Sequence, residues 1–246
     1  MFTYQIIIEY EGTNFVGWQK QKNGSSVQQT IEKNLTKILK EKIILYGSGR
    51  TDAGVHATGQ SAHFISKSKI INKFILMNSL NFFLHKKKIS ILKINKKNKN
   101  FHARYSAKKR IYKYIVINRI APLTLDINKA WHIRSALNIE LMKKAAKLLE
   151  GTKDFSTYRS SSCGAKSPVR TLEKISIEKK NDKIIILFTS KSFLQKQVRS
   201  MVGCLKFVGE GKWSLKKFQY IISSKSRANC APPAPAYGLY LSKVYY

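Results

Sequence analysis

"KIILYGSGRTDAGVHATGQSAHFIS", residues 42–66, reads as strand, loop and strand, and the rest of the chain can be built outward from it. "KIILYG" is apolar and β-branched, and "GQSAHFIS" alternates apolar with polar residues as a sheet strand does. Between them lie Gly47, Gly49 and Gly54, with Arg50 and a single acid, Asp52. Upstream, "TYQIIIEY" has the composition of a strand. "SVQQTIEKNLTKILKE" opens on a serine and repeats apolar residues at Val27, Ile31, Leu35 and Ile38 or Leu39, which is a helical period. Downstream, "KIINKFILMNSLNFF" reads as a second helix and "KKKISILKI" as a closing strand. The order β-α-β-β-α-β is ferredoxin-like, an antiparallel sheet with helices on one face, and the glycine loop joins its second and third strands.

The lysine- and asparagine-rich "KINKKNKNFHARYS" reads as a linker, after which the theme repeats more loosely. "KKRIYKYIVIN" is a strand, "NIELMKKAAKLLEG" a helix, and "LEKISIEKKNDKIIILFTS" a hairpin turning at Asn-Asp. A helix through "SFLQKQVRSMVGCLKFVGEG" follows; "APPAPAYG" is too proline-rich for a helix and reads as a rigid connector, and "GLYLSKVYY" is the last strand. The expected fold class is therefore α+β. Two ferredoxin-like-related α+β subdomains, 1–103 and 104–246, are expected to contribute antiparallel sheets to one extended sheet with a central cleft where they meet.

Composition narrows the function. A chain of 246 residues with 43% apolar content can bury one large core or two small ones. No apolar run approaches the ~18 residues a membrane span needs. The start "MFTYQIIIEY" lacks the features of a signal peptide, so a cytoplasmic protein without a membrane partner is expected. The three cysteines are far apart in sequence and the five histidines do not cluster, so no metal site is expected. The net charge of +33 points to a polyanionic partner, although 37 lysines against 9 arginines, with abundant Ile and Asn, also reflect A/T-rich coding. Arginine persists where its bidentate fork matters, and Arg50, Arg104, Arg110 and Arg199 fall in the segments that matter below.

By itself the glycine loop admits four readings. It could be an ordinary turn, in which Gly takes positive φ and Asp caps its own backbone. It could cradle a phosphate, but the glycine spacing fits neither standard phosphate motif and a central aspartate repels an anion. As a metal site it offers a lone carboxylate beside an arginine, a poor cation ligand. Fourth, Asp52 could be a catalytic carboxylate.

The run "GRTDAGVHATGQ" resembles the signature of the tRNA pseudouridine synthases of the A type, and the resemblance extends along nearly the whole chain. "EYEGTNFVGWQKQ" with "SVQQTIE", "FHARYSAKKRIYKYIV", "FLQKQVRSMVG" and "APPAPAYGLYL" resemble successive family segments in the family's order. Three features depart from the pattern: Glu11 stands where Asp is usual, Gln197 where Met is usual, and "NFFLHKKKISIL" lacks a proline after its leucine.

The resemblance implies isomerisation of uridine to pseudouridine at positions 38, 39 and 40 of the tRNA anticodon arm, by a homodimer, with no cofactor and no metal. It implies that Asp52 is the essential carboxylate, that Tyr112 offers a ring and a phenol to the base, and that Arg199 pairs with the aspartate. A guanidinium offsets the desolvation that would otherwise neutralise a buried acid. Arg50 is expected to fill the stack vacated by a flipped uridine or to hold a phosphate, and Leu239 to form an apolar pocket wall. The loop glycines are expected to leave room for RNA to approach Asp52.

Overall fold

The computed structural model describes residues 1–246. In chain order its elements are β1 (Phe2–Tyr10), α1 (Val27–Leu39), β2 (Tyr46–Gly47), β3 (His56–Ser66), α2 (Lys73–Leu84), β4 (Ile89–Lys97) and β5 (Lys109–Asn118). They continue as β6 (Trp131–Ile133), α3 (Ile139–Leu149), β7 (Gly151–Asp154), β8 (Val169–Lys180), β9 (Lys183–Ser190), α4 (Gln197–Gly209), α5 (Leu215–Ser223) and β10 (Leu239–Tyr245). The chain forms two compact units, Met1–Lys108 with Tyr240–Tyr246, and Lys109–Leu239. The last strand, expected in the second part, therefore belongs from Tyr240 onward to the first unit.

In the first unit β1 lies between β3 and β4, antiparallel to both, with Ile6 opposite Ala62 on one side and Ile94 on the other. The far edge of β3 is shared. β2 pairs with it antiparallel at Tyr46–His63, and β10 pairs with it parallel at Tyr240–His56. The core holds Tyr4, Ile6, Ile8 and Phe64 from the strands, with Ile31 and Leu35 from α1 and Leu80 and Leu84 from α2. Ser26 caps α1 by accepting from the Gln29 amide, and Asn72 caps α2 at the Phe74 and Ile75 amides. In the second unit β5, β9, β8 and β7 form an antiparallel run, and the short β6 lies parallel to β5. The β8–β9 hairpin turns at Asn181, whose φ of 54° is one that Asn tolerates better than most residues.

The fold class is α+β, with strand pairing mixed and largely antiparallel. The expected wholly antiparallel sheets are corrected by β6 and β10, each of which reaches its neighbour by a long crossover, as parallel pairing requires. "KIILYG" also shrinks to a two-residue strand. Its alternation is real, with Ile43 and Leu45 buried and Ile44 exposed, but side chains of α1 take its backbone groups. Thr36 Oγ1 and Glu32 Oε1 accept from the Ile43 and Leu45 amides, and Gln28 Nε2 donates to the Leu45 carbonyl. The expected linker is likewise ordered onto the sheet. β4 runs to Lys97, and Ala103 is buried, its amide donating to His63 Nδ1 and its carbonyl accepting from the Tyr246 hydroxyl. No helix is long and apolar enough to cross a membrane.

Candidate active site

The glycine loop leaves β2 at Gly47 and enters β3 at His56. Its walls are polar and satisfied. Ser48 donates its amide to the Ser61 carbonyl at 2.7 Å and its hydroxyl to Gln60 Oε1 at 2.8 Å, and Gln60 Nε2 donates to the Gly49 carbonyl at 2.8 Å. Gln60 and Ser61, polar positions on an apparently alternating strand, are thus fully buried because they hold the loop. Asp52 sits half-buried in a turn closed by the Val55 amide donating to its carbonyl at 3.2 Å. Arg50, two residues earlier, is exposed.

A second segment, Tyr10–Trp18, clamps the loop from outside. The Tyr10 hydroxyl bonds Thr51 Oγ1 at 2.8 Å, the Trp18 amide donates to the Thr51 carbonyl at 3.1 Å, and the Gly12 amide donates to His56 Nδ1 at 2.9 Å. His56 Nδ1 is thus occupied as an acceptor, and the ring stacks on Tyr240 at 4.7 Å. Gly12 approaches so closely that a Cβ there would stand 2.0 Å from the Val55 carbonyl oxygen. These supports carried no role in the sequence reading. Their signal was "EYEGTNFVGWQ", a glycine- and aromatic-rich stretch that periodicity cannot connect to a loop 40 residues away. One loop glycine is also reassigned: a Cβ on Gly47 would meet the Trp18 indole at 2.5 Å, so the room it leaves is filled by protein and is not open to RNA.

Two departures from the family pattern meet in one place. Glu11 accepts two hydrogen bonds from Lys88 Nζ, at 2.8 and 2.9 Å, and its amide donates to the Lys88 carbonyl at 3.0 Å. Lys88 ends the turn that lacks the expected proline, with φ of 56°. The ammonium, mainly through these hydrogen bonds, holds the Glu11 carboxyl below its ordinary range. The acid thus anchors the proline-free turn to the end of β1.

Tyr112, Arg199 and Leu239 belong to the second unit. Tyr112 shares one buried face of β5 with Arg110 and Tyr114, and Phe193 meets its ring edge-on at 5.1 Å. Arg110 donates to the Lys191 carbonyl, which makes it a strand-end anchor inside the unit. Arg199, in the first turn of α4, is half-buried and doubly tied to the connector. Its Nε donates to the Ala234 carbonyl at 2.7 Å and its carbonyl accepts from the Ala234 amide at 2.9 Å. The Tyr114 hydroxyl donates to the next carbonyl, Pro235, at 2.8 Å, and burial raises its pKa far above the ordinary phenol value. Leu239 is buried where the connector becomes β10. Gln197, the third departure, is fully buried and accepts from the Leu194 amide at 2.8 Å, fixing the entry to α4. Cys204 and Cys230, distant in sequence, are free thiols with sulfurs 3.5 Å apart. No group of three or more His, Cys, Asp or Glu side chains gathers as a metal site.

In the first unit, burial, with His102 beside it, pushes the His63 imidazole down to about 4. The unfolded chain returns it to about 6.5, so the neutral ring favours the fold above that pH. The contribution is lost as pH falls from about 6.5 to 4. Ring chemical shifts of His63 are expected to stay those of neutral imidazole down to pH 5, while the denaturation midpoint drifts downward over the same range.

A tRNA pseudouridine synthase family model matches residues 6–106 and 145–246. The chain belongs to that family. Among relatives, "tRNA pseudouridine synthase A" of Pelagibacter ubique is 58% identical over 246 residues, covering all of both chains. Proteins of the same name from Parvibaculum lavamentivorans and Neorickettsia sennetsu are each 44% identical over 243 residues, covering 99% of this chain and 98% and 99% of theirs.

Proposed function

We propose that this chain isomerises uridine to pseudouridine in tRNA, at positions 38, 39 and 40 of the anticodon arm, with Asp52 as its catalytic carboxylate and no cofactor. Family membership and the names of full-length relatives support the reaction and the substrate. The observation that carries the residue is the clamp: residues 10–18 and strand β3 use their hydrogen bonds to fix the loop on which Asp52 stands. Such preorganisation holds a reacting group in place before substrate arrives.

The N1–C1′ bond breaks, the uracil turns, and C5 bonds to C1′. C5 loses a proton and N1 gains one, so nothing is oxidised or hydrolysed. In this reading Asp52 acts in its ionised form and Arg199 favours that form. The bond from its Nε to Ala234 supports the role by orienting the guanidinium. Tyr112 faces the base and its phenol relays the C5 proton, while Leu239 forms an apolar wall. Arg50, exposed beside the loop, takes the place of the flipped uridine or holds a phosphate. Both units are relatives of one ferredoxin-like plan, and the working enzyme is a cytoplasmic homodimer. The order β4-β1-β3-β2 in the first unit supports the ferredoxin-like plan.

The test is site mapping on tRNA that lacks pseudouridine. Wild type is expected to introduce it at positions 38–40 of the anticodon arm; modification confined to other arms would overturn the assignment. Binding should also be strongly electrostatic. If about six phosphates are contacted, affinity is expected to fall ~10³-fold between 50 and 200 mM salt, measured by filter binding.

A further inference from the structure

The first unit carries a cluster of aromatic rings outside the reaction loop. Tyr46, at the loop's root, lies flat on His63 with centroids 5.1 Å apart and planes 25° apart. His63 abuts His102 at 4.6 Å, and His102 lies against Tyr105 at 4.4 Å. Phe101 packs its edge on His63 and contacts Tyr246 at 4.8 Å. The inner rings are buried or half-buried, but the two end rings are not: Tyr46 is 43% and Tyr105 74% exposed.

This exposure is built in. His102 Nδ1 accepts from the Arg104 amide at 3.1 Å and the Tyr105 amide at 3.4 Å, and Ser106 Oγ accepts from the His102 amide at 3.0 Å. The Ala103 amide pins the turn to His63 at 3.1 Å. These bonds fix the backbone that carries the Tyr105 ring, and the ring itself rests against His102. Burial keeps both imidazoles below their ordinary pKa, so the stack is aromatic and uncharged at neutral pH.

The surroundings select the occupant. Arg104 lies over the Tyr105 ring at 5.5 Å and Lys97 over Phe101 at 5.2 Å. No Asp or Glu occurs between Asp52 and Asp126. The exposed, uncharged Tyr105 ring with cations close by fits a nucleobase with its phosphates, because every base offers a π-face and each phosphate an anion.

We infer that Tyr105, backed by His102, His63 and Tyr46, is a stacking site for an unpaired nucleobase of the RNA substrate, separate from the uridine that reacts. The site rests on the RNA reading above and extends it to a second nucleotide, held by shape and stacking.

The test compares wild type, Tyr105→Ala and Tyr105→Phe. It measures tRNA turnover and the affinity for a single-stranded RNA carrying 2-aminopurine, whose fluorescence is quenched by stacking. Tyr105→Ala is expected to raise KM and weaken oligomer binding roughly 5- to 150-fold, the cost of losing one base–aromatic stack. It should leave kcat within about 2-fold and abolish the quench, whereas Tyr105→Phe should match wild type. Unchanged KM and oligomer affinity in Tyr105→Ala, with wild type forming pseudouridine, would overturn the stacking site and leave the enzyme reading intact. Tyr105-dependent quenching in a wild type that forms no pseudouridine would do the reverse. A Tyr105→Phe variant as weak as Tyr105→Ala would assign the effect to the hydroxyl and overturn the proposal. So would loss of self-association in Tyr105→Ala with RNA affinity unchanged, since the ring would then belong to a protein contact.

Discussion

Asp52→Asn is expected to lose ~10⁴-fold or more in turnover while tRNA affinity stays within about 3-fold of wild type. The two side chains have nearly the same shape, and the turn around position 52 is held by backbone, with the Val55 amide donating to the residue 52 carbonyl. The hydrogen bonds at Thr51, Ser48 and His56 are made by other residues, so the loop should keep its form. Only the charge and the nucleophilic or basic oxygen disappear. The comparison requires kcat and Kd on the same tRNA preparation, with thermal midpoints that agree within about 2 °C.

Gly12→Ala is expected to damage both stability and activity, although position 12 lies 40 residues from Asp52 in sequence. An added Cβ would stand 2.0 Å from the Val55 carbonyl oxygen, a contact that no side-chain rotation relieves because both partners are backbone. The segments must move apart, which breaks the Gly12–His56 bond and releases the clamp on the loop. Overpacking of this kind costs about 3 kcal/mol, or roughly 6–12 °C in the midpoint for a chain of this size. Gly164→Ala is the matched control, since nothing lies within 4 Å of a Cβ there. Equal midpoints for the two variants would mean that the clamp is not structurally important.

These two positions also show what the sequence could reveal. Asp52 stood out because an acid among glycines beside an arginine is unusual in a chain with 13 acids and 46 bases. Gly12 gave no such signal, because its reason for being glycine is a carbonyl brought near only by the fold. The helices were legible from their period, and Val27, Ile31 and Leu35 are the residues α1 buries. β2 is shorter than its apolar pattern because periodicity reports which side chains are buried and not which groups satisfy the backbone; Glu32, Gln28 and Thr36 do that here. The parallel placement of β10 beside β3 was illegible because pairing direction depends on where a distant strand returns. His102 and Tyr105 looked like linker residues because lysine and asparagine around them mask a turn that His102 itself closes.

The central claim is that this chain breaks and remakes a glycosidic bond through Asp52 without removing the base from the RNA. The most direct measurement is tritium release from tRNA labelled at uridine C5, run with purified wild type and no added cofactor. Steady release by wild type, with pseudouridine recovered in the same RNA and neither signal from Asp52→Asn, is the predicted result. A wild type that binds this tRNA but releases no tritium, or a variant that releases it at the wild-type rate, would contradict the account.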